Sequence, residues 1–330
     1  MNRRIFINSV LSTFLLSFNY RLSGAERLKL LNKTGYVNDP IFLLHHISPE
    51  HPETPERMKF IQNVMEESDI WNDLIQISLK PEIGDWLQTV HTESHIASIK
   101  NNTPISHKVA VAAVRGCLAA LDQVVTKAID NAFCATRPPG HHALNTGKEE
   151  GFCYYNTIAI AARYAQKKYG LKNILIIDWD YHHGNATEAM FYDDPSVLYF
   201  STHDFHAYPG TGDPIKKGKG RGLGYNINIH LPCGTNDQAI VDIYKSVLIP
   251  AANRFKPDLI LISAGFDSRA HDLLGCLDIT DTGFATMTKI VMRIANTHCD
   301  GRIVSMLEGG YNLKGIASAV NAHISALLHE

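Results

Sequence analysis

The sequence is thin in the features that would place it in several large classes. It has no excess of basic charge: 31 Lys and Arg stand against 33 Asp and Glu, a formal net charge of −2. That balance argues against nucleic acid as a partner. The one local basic run, 216–221, is interleaved with Gly218 and Gly220 and reads as a solvated loop. Six cysteines (Cys117, Cys134, Cys153, Cys233, Cys276 and Cys299) are scattered, and no two have the spacing of a metal knuckle. A disulfide framework belongs to small chains, so these read mostly as buried thiols, and any metal falls to His and carboxylate. The longest apolar run, about 5–18, is short and broken by Ser and Asn, which excludes a stable membrane span. There is no internal repeat and no long linker. A chain of 330 residues, 45% hydrophobic and 19% charged, then reads as one globular domain.

Acid is missing altogether from residues 1–25; the first is Glu26. Arg3 and Arg4 precede the apolar run, and Ser23-Gly24-Ala25 places small residues at the −3 and −1 positions of a cut after Ala25. This is the three-part pattern of a secretory signal, with a twin-arginine-like start. The expectation is a signal segment over 1–25, export to the periplasm, and a functional domain over 26–330. The alternatives are an amphipathic N-terminal helix or a misplaced start codon, either of which leaves the chain cytoplasmic.

Beyond that segment, short β-branched and apolar runs alternate with longer helical patterns. Strands are predicted over 40–46, 131–135, 173–178, 196–201, 225–229, 258–263 and 302–307. They are continuously apolar, as strands buried on both faces are. Helices are predicted over about 55–68, 107–128, 154–169, 236–254, 280–298 and 314–328. The alternation predicts an α/β fold: a single doubly wound domain with a mainly parallel central sheet flanked by helices. In such folds polar chemistry gathers at the carboxyl ends of the strands. Here 137–142, 178–183, 201–203, 264–267 and 308–311 each follow a predicted strand and carry the reactive residue types.

Asp180 and His182 lie two residues apart in extended chain, so both point to one side. Asp267, after the strand at 258–263 and the Ala264-Gly265 turn, is the candidate third ligand. Singly, each such Asp is more often a helix cap. Together, one imidazole and two carboxylates with a position left for water form a catalytic zinc set. A binuclear manganese site of the arginase type needs carboxylates two places after the His and two after the second Asp. Those places hold Gly184 and Arg269, which favours one metal. Arg137-Pro138-Pro139-Gly140-His141-His142 is stiffened by its prolines before it is reactive, so both histidines can face one cavity. Each histidine needs a partner to fix its tautomer, and Asp178 and Asn185 are the candidates. Glu308-Gly309-Gly310-Tyr311 ends the last strand, where a phenol can donate to a developing oxyanion.

Taken together, these segments resemble the histone deacetylase superfamily, especially its class II and bacterial members, which are related to acetylpolyamine amidohydrolases. The resemblance rests on His51-Pro52-Glu53-Thr54-Pro55-Glu56-Arg57, 137–143, Gly151-Phe152-Cys153-Tyr154-Tyr155-Asn156, 178–187, Tyr208-Pro209-Gly210-Thr211-Gly212, 263–267 and 307–313, in the family's order. It implies the arginase/deacetylase-like fold and zinc-dependent hydrolysis of an acetylated amine. By resemblance, Asp180, His182 and Asp267 are the zinc ligands and His142 is the general base and acid. His141 is its electrostatic partner, paired with Asp178, while Asn185 pairs with His142 and Tyr311 is the oxyanion donor. The neutral Asn185, where class I members have Asp, leaves His142 less basic. Phe152 and Tyr208 match the channel walls, with Tyr208 replacing the usual Phe, and Gly151 and Leu274 line the same channel. A structural potassium ion is implied at Asp178, Asp180, His182, Ser201 and Thr202, on the resemblance alone.

The substrate expectation is an acetylated lysine peptide. Leu274 stands where the polyamine-selective form has a Glu, and a leucine does not favour a cationic substrate. The segment 94–105 also leaves no room for the insertion that narrows the channel of bacterial polyamine enzymes. The alternative is an acetylated small amine, which export would favour. A catalytically dead acetyl-binding protein is a further reading, opposed by the presence of every expected ligand, both histidines and the tyrosine.

Overall fold

Runs of four to seven residues, and at the sheet edge a pair of residues, are too short for stable helices alone but long enough to form strands. In the computed structural model, which describes residues 31–80, 82–204 and 206–330, such runs form eight strands. They are β1 (Thr34–Val37), β2 (Ile75–Gln76), β3 (Asn131–Cys134), β4 (Ile174–Asp178), β5 (Val197–His203), β6 (Asn226–His230), β7 (Leu259–Ala264) and β8 (Ile303–Leu307). They make one sheet in the order β2-β1-β3-β8-β7-β4-β5-β6, and every pairing is parallel. The central strands are buried along their whole length, which explains their unalternating apolar sequences. The signal segment expected over 1–25 lies outside the described residues.

Helices cover both faces: α1 (Glu56–Glu67), α2 (Glu93–Asn102), α3 (Pro104–Val125), α4 (Thr157–Tyr169), α5 (Asn185–Phe191), α6 (Asp237–Ile243), α7 (Ile249–Phe255), α8 (Asp281–His298) and α9 (Leu313–His329). Small residues let α3 and α4 lie close to the sheet: Ala120, Ala159, Ala161, Ala162 and Ala165 are fully buried in one core cluster with residues of the strands. The C-terminal α9 packs on α8 and α1. Among the described residues, no helix is long and apolar enough to cross a membrane.

The expected strand at 40–46 is a correction. Asp39 accepts a hydrogen bond from the Ile41 N–H at 2.9 Å, Pro40 fixes φ at the first position, and Pro40–Leu44 forms a 3-10 turn. The strand instead forms just before it, as β1. The single helix expected over 236–254 is interrupted by a π turn at Tyr244–Leu248, immediately before Pro250 removes a backbone donor. The reading of the cysteines as thiols holds for Cys117, Cys134, Cys153 and Cys299, all buried, but Cys233 and Cys276 form a disulfide with Cα atoms 5.1 Å apart.

Candidate active site

The chain runs outward along one half of the sheet and returns through the middle, so β3, β8, β7 and β4 lie side by side. Their carboxyl ends deliver the reactive residues to one place: His141 and His142 after β3, Asp178, Asp180 and His182 from β4, Asp267 after β7, and Tyr311 after β8. Segments far apart in sequence thereby become neighbours at the point where the strand order reverses.

His182 Nδ1 lies 3.2 Å from Asp180 Oδ1 and 3.0 Å from Asp267 Oδ2. One ligand atom from each of the three residues lies within 4.8 Å of the others. Backbone donors fix both carboxylates: the Tyr181 N–H donates to Asp267 Oδ1 and the Gly309 N–H to Asp180 Oδ2, each at 2.8 Å. Gly309 has to be glycine, since a Cβ there would stand 2.7 Å from Asp180 Oδ2. Burial, and then the charge of Asp180, push the Asp267 carboxyl up to about 7. Burial works to lower His182, but hydrogen bonds to Asp180 and Asp267 outweigh it and carry the imidazole up to about 10. His141 and His182 outweigh burial and keep Asp180 ionised, so the protons that a divalent cation would displace are those of Asp267 and His182. The donor set fits one metal ion. Among the described residues no second such group is found: a Cβ at Gly184 would strike Tyr199 Oη at 2.6 Å, and Arg269 turns away to a two-point ion pair with Asp281 at 2.7 and 3.2 Å. Arg269 is therefore a clamp on the first turn of α8.

The tandem histidines stand in different electrostatic surroundings. His141 Nδ1 meets Asp178 Oδ2 at 3.1 Å. Burial alone would lower His141, but Asp180, Asp178 and Glu308 surround it with negative charge and hold it well above the ordinary imidazole value. His142 Nδ1 donates to Asn185 Oδ1 at 2.7 Å, which leaves Nε2 as the acceptor. Burial and the neighbouring His141 hold His142 well below the ordinary value. One ring is thus kept charged and the other neutral.

His142, Gly151, Phe152, Tyr181, His182, Ala207, Tyr208, Leu274 and Tyr311 line a cavity of about 450 Å³ that opens to the surface. No Asp, Glu, Lys or Arg lines it. Tyr208 stands edge-on to His142 and Phe152 edge-on to Tyr311, at centroid distances of 5.0 and 5.9 Å. Gly151 keeps φ at +54°, and a Cβ on it would lie 2.7 Å from His142 Cγ. Leu274 is 39% exposed at the rim. Burial, then the charge of Asp267, hold the Tyr311 phenol well above its usual range, so it stays protonated. Asp178, the last residue of β4, pairs in register with Ser201, and Thr202 follows on the neighbouring β5.

Several supporting residues escaped the sequence reading. Glu308 accepts from the Gly140 and His141 N–H groups at 2.7 and 3.2 Å and from Ser263 Oγ at 3.1 Å, joining three strand ends beneath the histidines. Glu53 bridges Arg137, at 2.7 and 2.6 Å, and Arg57, at 3.0 Å, all fully buried. Arg57 then donates to the Gly310 carbonyl at 2.6 Å. Asp272 Oδ2 accepts from the Tyr311 and Asn312 N–H groups at 2.7 and 2.9 Å. The acidic residues in HPETPER and EGGY were the available signal for the first two; Asp272 left none.

This arrangement has known counterparts. Residues 51–327 match the family described as the histone deacetylase domain. The chain belongs to the histone deacetylase family. It is 38% identical over 311 residues to a protein named "Probable deacetylase" from Archaeoglobus fulgidus, covering 89% of this chain and 86% of that one. It is 34% identical over 318 residues to chloroplastic histone deacetylase 14 of Arabidopsis thaliana, covering 87% and 75%. The solved structure of the HDA15 HD domain superposes with a TM-score of 0.84 at 33% identity, covering 90% of this histone deacetylase family chain and 88% of the other. The doubly wound α/β architecture is thus the fold of the family.

Proposed function

We propose that the chain is a zinc-dependent amide hydrolase that removes acetyl groups from amines, with an acyl-lysine side chain as substrate. The observation that carries this reading is one uncharged-walled cavity that reaches His182, the imidazole grouped with Asp180 and Asp267, with a neutral imidazole and a protonated phenol lining it. A zinc ion held by those three residues supplies Lewis acidity toward the acyl oxygen and acidifies water. His142 Nε2 takes the proton of the attacking water and later gives it to the leaving amine, so amide and water become acetate and amine. Charged His141, anchored by Asp178, offsets the surrounding carboxylates. The Tyr311 hydroxyl donates to the acyl oxygen as that oxygen gains negative charge. Phe152 and Tyr208 enclose the aliphatic stem and exclude water.

The neutral cavity wall, with Leu274 at its rim, favours an acyl-lysine stem over an acetylated polyamine. The test is kcat/KM on an acetyl-lysine peptide and on N-acetylputrescine with zinc-loaded protein. A peptide preference of tenfold or more is expected; a preference for the polyamine overturns the substrate, and turnover of neither overturns the reading. Potassium held near Asp178, Asp180, His182, Ser201 and Thr202 belongs to the same proposal, and melting temperature in potassium against tetramethylammonium buffers checks it. So does export: the Cys233–Cys276 disulfide favours an oxidising compartment. An exported chain beginning near Glu26 by intact mass supports that, and one retaining Met1 refutes it.

A further inference from the structure

The Cys233–Cys276 disulfide takes no part in the chemistry above, yet it fastens the loop that carries Leu274 into the cavity wall. We propose that this bond is a thiol-exchange site that sets the working geometry of the channel rim, so that the oxidised chain is the more active form. The inference rests on the hydrolytic reading of the site for its kinetic readout only.

The segment from Asp267 to Cys276 begins at a metal ligand. Its Asp272 holds the backbone of Tyr311 and Asn312, and its Leu274 forms part of the cavity wall. Burial does little to hold its outer half: Leu273 is 67% and Leu274 39% exposed. Cys276 then joins it to Cys233, on the segment that follows β6. Cys276 Sγ also lies 3.4 Å from Tyr181 Oη, and Tyr181 stands between the ligands Asp180 and His182 and lines the cavity itself. One covalent bond therefore touches the rim, the support of the oxyanion donor and the ligand strand.

Cys233 is exposed, whereas the four free cysteines are buried, so a small thiol reaches this pair before any other sulfur. A thiolate of a low-molecular-weight thiol attacks Cys233 Sγ. The S–S bond breaks, Cys276 leaves as thiolate and takes a proton, and a mixed disulfide remains on Cys233. A second thiol attacks the mixed disulfide, releasing the oxidised small-molecule disulfide and the Cys233 thiol. Two electrons and two protons pass from two small thiols to the protein. After reduction, the Gly234 N–H bond to the Cys276 carbonyl at 2.8 Å and the Asp278 N–H bond to the Thr235 carbonyl at 2.9 Å remain. The rim then slackens without detaching, which makes the pair a control on rate rather than on folding. An exported chain would be weakly active in a reducing cytosol and fully active where disulfides form.

The test uses the zinc-loaded full-length chain in glutathione buffers from fully reduced to fully oxidised. Thiol alkylation with mass spectrometry reads the state of the pair, and zinc content is measured throughout. Reduction is expected to lower kcat/KM on an acetyl-lysine peptide by about 3- to 30-fold, the scale of a small misplacement of catalytic groups. Deuterium uptake over 268–276 should rise with it. The double variant Cys233→Ser, Cys276→Ser should sit at the reduced level in every buffer. If that variant fails to fold, Cys233→Ser alone carries the same expectation. Equal kcat/KM and equal uptake in both states would overturn the proposal, as would a pair that glutathione leaves oxidised. Absence of turnover in every state defeats the hydrolytic reading instead, and deuterium uptake alone then decides on the disulfide.

Discussion

Replacing Asn185 by Asp places a full negative charge where a neutral amide oxygen now accepts from His142 Nδ1 at 2.7 Å. In the present chain His142 is held below the ordinary imidazole value, first by burial and then by charged His141. It is therefore neutral, and able to accept a proton, down to acid pH. A unit charge about 4 Å from the ring centre, at an effective dielectric of about 20, stabilises the imidazolium by about 4 kcal/mol. That energy corresponds to about 3 pH units at 1.36 kcal/mol each. The positive charge at His141 and at the metal offsets part of it, leaving about 1–3 units. The sign follows: a higher proton affinity means that the base form appears only at higher pH. The acid limb of the kcat/KM profile should thus move up by about 1–3 units in Asn185→Asp, with the rate on that limb falling about tenfold per unit. Above the new limb the two enzymes should agree within a few-fold. The assay is kcat/KM for an acetyl-lysine peptide from pH 5 to 9, with zinc content measured at each end. An acid limb that stays in place while zinc remains bound would refute His142 as the titrating base.

Tyr311→Phe should lower kcat by about 10²–10³ with metal content unchanged, since it removes a single donor to the acyl oxygen; near-wild-type turnover would remove Tyr311 from the mechanism. Dialysis against a chelator should abolish activity and one zinc per chain should restore it, whereas two manganese ions per active chain by elemental analysis would overturn the mononuclear site. Glu53→Gln should cost about 3–5 kcal/mol in chemical denaturation, because it leaves Arg57 and Arg137 buried without their counter-charge. Burial opposes ionisation of Glu53, but His45 and the two guanidiniums outweigh it and hold the carboxyl below its usual range. Its contribution is therefore complete above the unfolded carboxylate pKa and fades as pH falls, so the gap between wild type and variant should narrow in acid.

What was legible in the sequence was what depends on local pattern. Runs such as Ile174-Leu175-Ile176-Ile177 and Leu259-Ile260-Leu261-Ile262 could only be strands buried on both faces. The residues that follow such strands in a doubly wound sheet face one rim, so Asp180, His182 and Asp267 could be grouped before any coordinates. β1 and β2 were missed for the opposite reason: Thr34–Val37 and Ile75–Gln76 are too short to show a period, and they are strands because β3 lies beside β1. The 40–46 run misled because its apolar content outweighed the cap and proline at its start. The supporting carboxylates were illegible because their meaning is tertiary. Glu308 matters through Gly140, 168 residues away, and Asp272 through Tyr311, 39 residues away. The cysteine pairing, across 43 residues, is a contact of the same kind.

The strand order carries a consequence for how the molecule comes into being. Among the described residues β8 is the last strand in sequence, yet it lies mid-sheet between β3 and β7. Before it arrives, β2, β1 and β3 can pair on one side and β7, β4, β5 and β6 on the other, each group with an open edge where the missing strand belongs. Such non-local parallel pairing is slow, and the open edges invite association while they wait. All three candidate metal ligands follow strands of the second group, and His141 and His142 follow β3 of the first. The loop after β8 joins the two groups directly: Glu308 accepts from the Gly140 and His141 N–H groups, and the Gly309 N–H donates to Asp180. The strand that closes the sheet is thus also the one that draws the two halves of the site together.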